Sequence, residues 1–97
     1  MLVMVTGTFP LKSTKKVMEA DMKAMEKPMS HVKNIGSWTC LGGEGINYWY
    51  VYELEKGHEE EGFMELNKYE AHFHEIEGYK VKIQTVMKPE DAVALTE

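Results

Sequence analysis

Hydrophobic residues recur along this chain with two different periods, and each period predicts one kind of element. Four segments are rich in the β-branched and aromatic residues that favour strands. The last of them alternates strictly, with Tyr79, Val81 and Ile83 on one face and lysines on the other. The predicted strands are LVMVTGTF (2–9), HVKNIGSWTCL (31–41), INYWYVYEL (46–54) and YKVKIQTVM (79–87).

Two further segments repeat their apolar residues at spacings of three and four, which is typical of amphipathic helices. The first runs from Thr14 to Met29, and Pro28 marks its end. The second covers residues 58–78, carries acids in its first turn and closes on Gly78. A short third helix is predicted from Pro89. The apolar faces consist of Val17, Met18, Met22 and Met25 in the first helix, and of Phe63, Leu66, Tyr69, Phe73 and Ile76 in the second.

The order of these elements, βαββαβ, predicts a single α+β domain over residues 1–97 with a ferredoxin-like fold. In that fold both helices cover one face of a four-stranded antiparallel sheet. The third strand is apolar on both faces, since Tyr48, Tyr50 and Tyr52 alternate with Trp49 and Val51. Soluble monomers rarely expose a large apolar patch. We therefore expect a homodimer in which one of these two sets lies at the interface.

The glycine-rich segment GGEG (42–45) lies between two predicted strands. A phosphate-binding loop needs a helix N-terminus after its glycines, because the amides and the dipole of the helix hold the anion. Since a strand follows instead, the segment predicts a hairpin turn whose glycines adopt positive φ.

Composition and charge exclude several classes of partner. The net charge is −5 and no stretch gathers the lysines into a basic stripe, so we expect no nucleic-acid partner. Cys40 is the single cysteine, which excludes an intramolecular disulfide. The apolar run MLVMV (1–5) is too short for a signal peptide or a membrane span. We therefore expect a cytoplasmic protein without a membrane partner.

Asp21 falls in the middle of the apolar face of the first predicted helix, among Val17, Met18 and Met25. No other acid in the sequence has so specific an environment. Desolvation without a nearby cation raises the pKa of a carboxylate, which makes Asp21 a candidate for proton transfer. The alternative is a carboxylate near the end of the sheet that reaches water or a backbone amide.

The histidines of the second predicted helix do not suggest a metal site. His72 and His74 are two positions apart, so their side chains diverge by about 200° around the helix. We predict no metal and no cofactor. Each ring is interpreted as half covered at the edge of the apolar face, and His72 is also a candidate general base.

Aromatic residues on the second and third predicted strands could line a pocket for a flat organic ligand. The candidates for this role are Trp38, Tyr48, Trp49 and Tyr50. Ordinary packing in the core and across a dimer interface is the alternative, because aromatic residues dominate both.

Three features together resemble the dimeric α+β barrel superfamily, in particular its small uncharacterised members. They are the short N-terminal strand, the hairpin IGSWTCLGGEGINYWYVYE (35–53) and the helical segment EAHFHEIEG (70–78). Relatives include muconolactone isomerases, antibiotic-biosynthesis-type monooxygenases that use no cofactor, and haem-degrading enzymes. The resemblance implies a homodimer with two sheets face to face and a ligand cleft between sheet and helices.

Few individual residues can be transferred from that superfamily. Ala71 and His72 are similar to the alanine-histidine step of the monooxygenase-type members. The asparagine and tryptophan of those enzymes, and the active-site pattern of the isomerases, have no counterpart in this sequence.

Two functions are compatible with these patterns. In the first, a homodimer binds a small organic molecule between sheet and helices, either for oxygenation or isomerisation or only for sensing. In the second, the chain is a non-catalytic dimerisation or regulatory module whose clefts are filled by its own side chains. A cavity of about 300 Å³ or more beside Asp21 or His72 favours the first, and a filled cleft favours the second.

Overall fold

A computed structural model describes residues 1–96 as an α+β domain with a four-stranded antiparallel sheet. A 3₁₀ turn at Leu11–Ser13 leads from the first strand into the first helix. The strands are β1 (Leu2–Phe9), β2 (Val32–Gly42), β3 (Gly45–Leu54) and β4 (Lys80–Val86), and the helices are α1 (Thr14–Ala24), α2 (Glu59–Ala71) and α3 (Pro89–Ala94). The four predicted strands and the three predicted helices are therefore confirmed as elements.

The strands lie in the order β2-β3-β1-β4, and every neighbouring pair is antiparallel. In the two central strands Val5 lies opposite Tyr50, and on its other side Val5 lies opposite Ile83 of β4. Val17 of α1 and Leu66 of α2 both pack against the same core. Helices α1 and α2 therefore cover one face of the sheet.

The core lies between this sheet face and the helices. Val3, Val5, Leu54 and Leu66 are its largest fully buried side chains. Because successive side chains of a strand point to opposite faces, the residues of β3 that share a face with Leu54 also point to the helices. These residues are Ile46, Tyr48, Tyr50 and Tyr52.

No helix or strand within residues 1–96 covers the opposite face of the sheet, which we call the open face. Trp38 and Trp49 lie directly opposite each other on it, and their exposed fractions are 59% and 38%. Val51 shares this face. Of the two apolar sets on β3, Trp49 and Val51 therefore lie on the open face, whereas the tyrosines face the helices.

Both long helices end earlier than the periodicity predicts. After Ala24 the backbone tightens, since Glu26 N–H donates to Lys23 O and Lys27 N–H donates to Ala24 O. Pro28 has no N–H to donate to Ala24 O and disfavours helical geometry at Lys27, so the α-helical bonds cannot continue through this segment. After Ala71 the chain also forms bonds between residues three apart, including one from Phe73 N–H to Glu70 O of 3.0 Å.

The predicted apolar face of α1 is partly wrong. Met18, Met22 and Met25 are exposed, whereas Ala24 is buried and Val17 is half-buried. The three methionines extend outward from the flank of α1, whereas Ala24 is its buried residue. None of the helices in residues 1–96 is long and apolar enough to cross a membrane.

The GGEG segment forms the predicted hairpin turn, in which Gly42 pairs with Gly45 at the end of the β2–β3 ladder. Among its glycines Gly45 alone has a positive φ, of 128°. A Cβ atom at this position would lie 2.2 Å from the backbone oxygen of Phe9. The expectation of positive φ is therefore confirmed at Gly45 and wrong at Gly42 and Gly43.

Candidate functional site

A cavity of about 180 Å³ lies between the helical face of the sheet and the two long helices. We call it the tyrosine cavity, because four tyrosines contribute to its wall. Two carboxylates, Asp21 of α1 and Glu70 of α2, reach the same space. The tyrosines are Tyr48, Tyr50, Tyr69 and Tyr79.

Glu70 is the most buried acid of this cavity, with an exposed fraction of 6%. It lies four residues after Leu66 and three before Phe73, so it occupies the face of α2 that is turned to the sheet. Burial, together with a smaller effect of the negative charge of Asp21, raises the pKa of Glu70 to about 7. A hydrogen bond from the Tyr79 hydroxyl to Glu70 Oε2, at 3.2 Å, opposes this increase.

Stacked rings hold Tyr79 in place beside Glu70. Its ring stacks on Phe73 with a centroid distance of 5.2 Å, and on Phe9 with a distance of 6.0 Å. Its hydroxyl is also hydrogen-bonded to that of Tyr48. Burial is the main cause that raises the pKa of both tyrosines, so both hydroxyls stay protonated at neutral pH. Tyr48, Tyr79 and Glu70 thus form one connected chain of polar groups.

Gly7 of β1 makes room for this arrangement. It lies opposite Tyr48 in the β1–β3 register, and a Cβ atom at Gly7 would lie 2.3 Å from Tyr48 Cζ. Any side chain at this position would displace the Tyr48 ring, because this distance is far below van der Waals contact. The absence of a side chain at Gly7 therefore helps to position the hydroxyl of Tyr48.

Asp21 forms a second polar pair in the cavity. It is half-buried and accepts a hydrogen bond from the Tyr69 hydroxyl. Burial raises the pKa of Asp21, the direction that its position on α1 predicts. Val17 and Met18 share the cavity wall with it. The tyrosine cavity therefore holds two carboxyl groups, each paired with a phenol.

The structure brings some of the predicted site residues together and separates others. Asp21, Tyr48 and Tyr50 all line the tyrosine cavity. His72 is exposed and caps the C-terminus of α2, where its Nδ1 lies 2.9 Å from Lys68 O. It borders a different hollow of about 190 Å³. Trp38 and Trp49 lie on the open face, on the other side of the sheet.

Sequence reasoning missed Glu70, Tyr69 and Tyr79 as site residues. Asp21 was wrongly predicted to have the most specific environment of all acids, because Glu70 is more deeply buried. Glu70 was predictable in the same way as Asp21, since its spacing from Leu66 and Phe73 also places it on an apolar face. Tyr79 gave no comparable signal, because alternation along β4 predicts its face but not its partner.

No family model and no curated protein matches this sequence. Among solved structures, the chain is similar to one described as "De novo designed protein Foldit4". The TM-score is 0.52 at 9% sequence identity, and the match covers 90% of this chain and 94% of the designed chain. At this identity the likeness supports the α+β fold alone.

Proposed function

We propose that this chain is a ferredoxin-like domain of the dimeric α+β barrel type that binds a small organic molecule in the tyrosine cavity and transfers a proton there. The strand order β2-β3-β1-β4, with α1 and α2 on one face, supports the fold assignment. The observation that carries the functional proposal is Glu70, a buried carboxyl with a pKa of about 7 on the cavity wall. Such a group accepts and returns protons near neutral pH.

The chemistry that suits this wall is removal of a proton from a carbon next to a carbonyl. The proton moves from that carbon to the Glu70 carboxylate, and the electron pair of the C–H bond moves to the carbonyl oxygen. Tyr50 also lines the cavity, and its hydroxyl, which burial keeps protonated, can donate to the resulting enolate oxygen. Where a carbon–carbon double bond adjoins the deprotonated carbon, the electron pair extends over it, and return of the proton to the far end of that bond completes an isomerisation. Reaction of the enolate with molecular oxygen instead begins an oxygenation.

The size and charge of the cavity define the ligand class. Its volume of about 180 Å³ is below the value of about 300 Å³ that we expected for a ligand pocket, yet the cleft is not filled. A cavity of about 150 Å³ holds one benzene ring. Asp21 and Glu70 disfavour an anion in the same space. The ligand is therefore an uncharged molecule of about one ring.

Hydrogen–deuterium exchange into a simple ketone tests this proposal. Cyclohexanone has one ring and acidic protons beside its carbonyl, so the protein should accelerate their exchange in D₂O. We expect the rate to rise through about pH 7 as Glu70 ionises. Glu70→Gln should reduce the protein-dependent rate about 100-fold or more, since loss of a general base typically has this effect. Proton NMR of the ketone measures the rate.

The matched control is Glu75→Gln, which removes an equal charge from an exposed position. It should exchange protons at the wild-type rate. Equal rates in wild type and Glu70→Gln, together with no chemical-shift change at Tyr48 or Tyr79 on adding the ketone, would contradict both binding and proton transfer in this cavity.

The second candidate function, a non-catalytic dimerisation or regulatory module, is favoured by a different observation. Trp38, Trp49 and Val51 lie on the open face, which no element of residues 1–96 covers. Both candidates include a homodimer, with the open faces of two chains packed together. The exchange experiment separates them, because a purely structural module has no reason to accelerate proton exchange.

The dimer gives a separate prediction. We expect light scattering at micromolar concentration to measure about twice the 11.2 kDa of one chain. Trp49→Lys should yield the mass of one chain, because it places a charge at the centre of the buried face. Met22→Lys is the matched control, since Met22 is an exposed apolar residue of α1. A wild-type monomer, or dissociation by both variants alike, would contradict an interface on the open face.

A further inference from the structure

Two histidines from distant parts of the sequence lie side by side at the end of the sheet where β2 and α2 begin. His31 directly precedes β2, and His58 is the N-cap residue of α2. Their rings stack with a centroid distance of 4.5 Å and an interplanar angle of 12°. Neither residue borders the tyrosine cavity.

Each ring also meets a carboxylate. His31 Nδ1 lies 2.5 Å from Glu55 Oε2, and His58 Nδ1 lies 2.5 Å from Glu61 Oε2. One ligand atom each from His31, His58 and Glu61 can be chosen so that all three lie within 4.8 Å of one another. We call these three residues the histidine cluster. Two imidazoles and one carboxylate are a donor set that suits Zn²⁺ and similar divalent transition metals.

The backbone around His31 is fixed on both sides. Glu65 of α2 accepts hydrogen bonds from the backbone N–H groups of Ser30 and His31, at 2.7 and 2.8 Å. The carbonyl oxygen of His31 accepts a bond of 2.9 Å from Glu55 N–H. These contacts join the start of β2 to the end of β3 and to α2, so His31 has a defined position.

The backbone of His58 is joined to the same network. Its N–H group donates to Glu55 O at 2.9 Å. Gly62, one turn into α2, lets the helix approach closely, since a Cβ atom there would lie 2.9 Å from His31 O. The two histidines are therefore brought together by backbone contacts that do not depend on their own side chains.

We propose that the histidine cluster binds one divalent transition-metal ion of the Zn²⁺ class. Tetrahedral coordination with bonds of about 2.1 Å places neighbouring ligand atoms about 3.4 Å apart. No pair of ligand atoms is therefore more than about 1.4 Å too far apart, and His58 Nδ1 and Glu61 Oε2, at 2.5 Å, need to separate by about 0.9 Å if both coordinate. Rotation of side chains allows this, because His58 and Glu61 are about half exposed. Glu55, beside His31 Nδ1, orients that ring from outside, as carboxylates commonly do for metal-bound histidines.

Such an ion joins the beginning of β2 to the first turn of α2. It stabilises the folded chain, because the ligands come from segments that are far apart when the chain is unfolded. This inference is independent of the proposed function, since the cluster shares no residue with the tyrosine cavity.

The test is calorimetric titration of ZnCl₂ into untagged protein at pH 7.5. A Cys40→Ser background removes the exposed thiol, which would otherwise compete for the metal. We expect one ion per chain and a thermal midpoint that rises by about 5 °C or more when zinc is in large excess over its Kd. MgCl₂ should produce neither effect, because Mg²⁺ prefers oxygen ligands.

Two variants locate the site and a third is the control. His58→Ala and Glu61→Gln should each weaken zinc binding at least tenfold, since each removes a ligand. His74→Ala removes an exposed histidine outside the cluster and should bind zinc like the wild type. Thermal midpoints measured with EDTA show whether each variant is folded. If His58→Ala does not fold, Glu61→Gln still tests the site. Unchanged zinc affinity in Glu61→Gln, an equal loss in His74→Ala, or no zinc binding by the wild type would overturn the proposal.

Discussion

Glu70→Gln will raise the free energy of unfolding at pH 8 by about 3 kcal/mol relative to the wild type. Burial raises the pKa of Glu70 from 4.5 to about 7, so ionising it in the folded protein costs about this much. Glutamine resembles the protonated carboxyl in shape and is never charged. Its side-chain oxygen can still accept the hydrogen bond from Tyr79.

The sign of this effect depends on pH. Because the folded-state pKa of Glu70 is raised, the native protein binds more protons than the unfolded chain between about pH 4.5 and 7. Protonation of Glu70 therefore contributes its full amount to the free energy of unfolding below about pH 4.5, and this contribution is lost as the pH rises through about 7. The advantage of Glu70→Gln should therefore be small at pH 4.5 and reach its full size by about pH 8.

Urea denaturation at several pH values and one protein concentration measures this difference. Glu75→Gln serves as the control, because it makes the same charge change at an exposed position. Its effect on stability should stay within about 0.5 kcal/mol at every pH. If Glu70→Gln showed no pH-dependent gain, Glu70 would be ionised without cost, and the proposed general base would lose its main physical support.

Gly45→Ala is expected to lower the free energy of unfolding by about 3 kcal/mol. Gly45 has a φ of 128°, a region that residues with a side chain rarely adopt. The added Cβ atom would also lie 2.2 Å from the backbone oxygen of Phe9 and 3.0 Å from Pro10 Cα. Both neighbours are backbone atoms, so the clash cannot be relieved by rotating a side chain.

Gly43→Ala is the matched control within the same turn. A Cβ atom at Gly43 has no neighbour within 4 Å, and its φ is not positive. Denaturation of the two variants side by side should show a change below about 1 kcal/mol for Gly43→Ala. Equal losses for both would mean that the turn tolerates any glycine replacement alike and that the close approach to β1 at Gly45 has no special role.

Much of the fold could be predicted from the sequence because the signals are local. Strict alternation along β4 predicts its two faces, and the register places Val81 and Ile83 opposite Gly7 and Val5 on the helical side. Pro89 predicts the start of α3, which begins there. The helix ends were less predictable. Apolar spacing continues past Ala24 and Ala71, whereas the backbone changes to three-residue bonds.

The candidate site was predictable only in part. The position of Asp21 on α1 indicated a carboxylate near the sheet, and the position of Glu70 on the apolar face of α2 indicates a second one in the same way. The pairing of Glu70 with Tyr79 could not be predicted in this way, because alternation along a strand does not show which helix residue lies over a given strand residue. The outward position of Met22 was equally hidden, since it depends on how α1 rotates against the sheet.

The sequence by itself determined the order of the elements, the hairpin at Gly45 and the two faces of β3, because these depend on backbone preferences and on the period of a few neighbouring residues. Tertiary structure alone decided which polar groups meet. Tyr69 reaches Asp21 across 48 residues of sequence, and Tyr48 reaches Tyr79 across 31. Such pairs form only after the sheet and helices pack, because burial then removes water and leaves each polar group to find a partner within the fold.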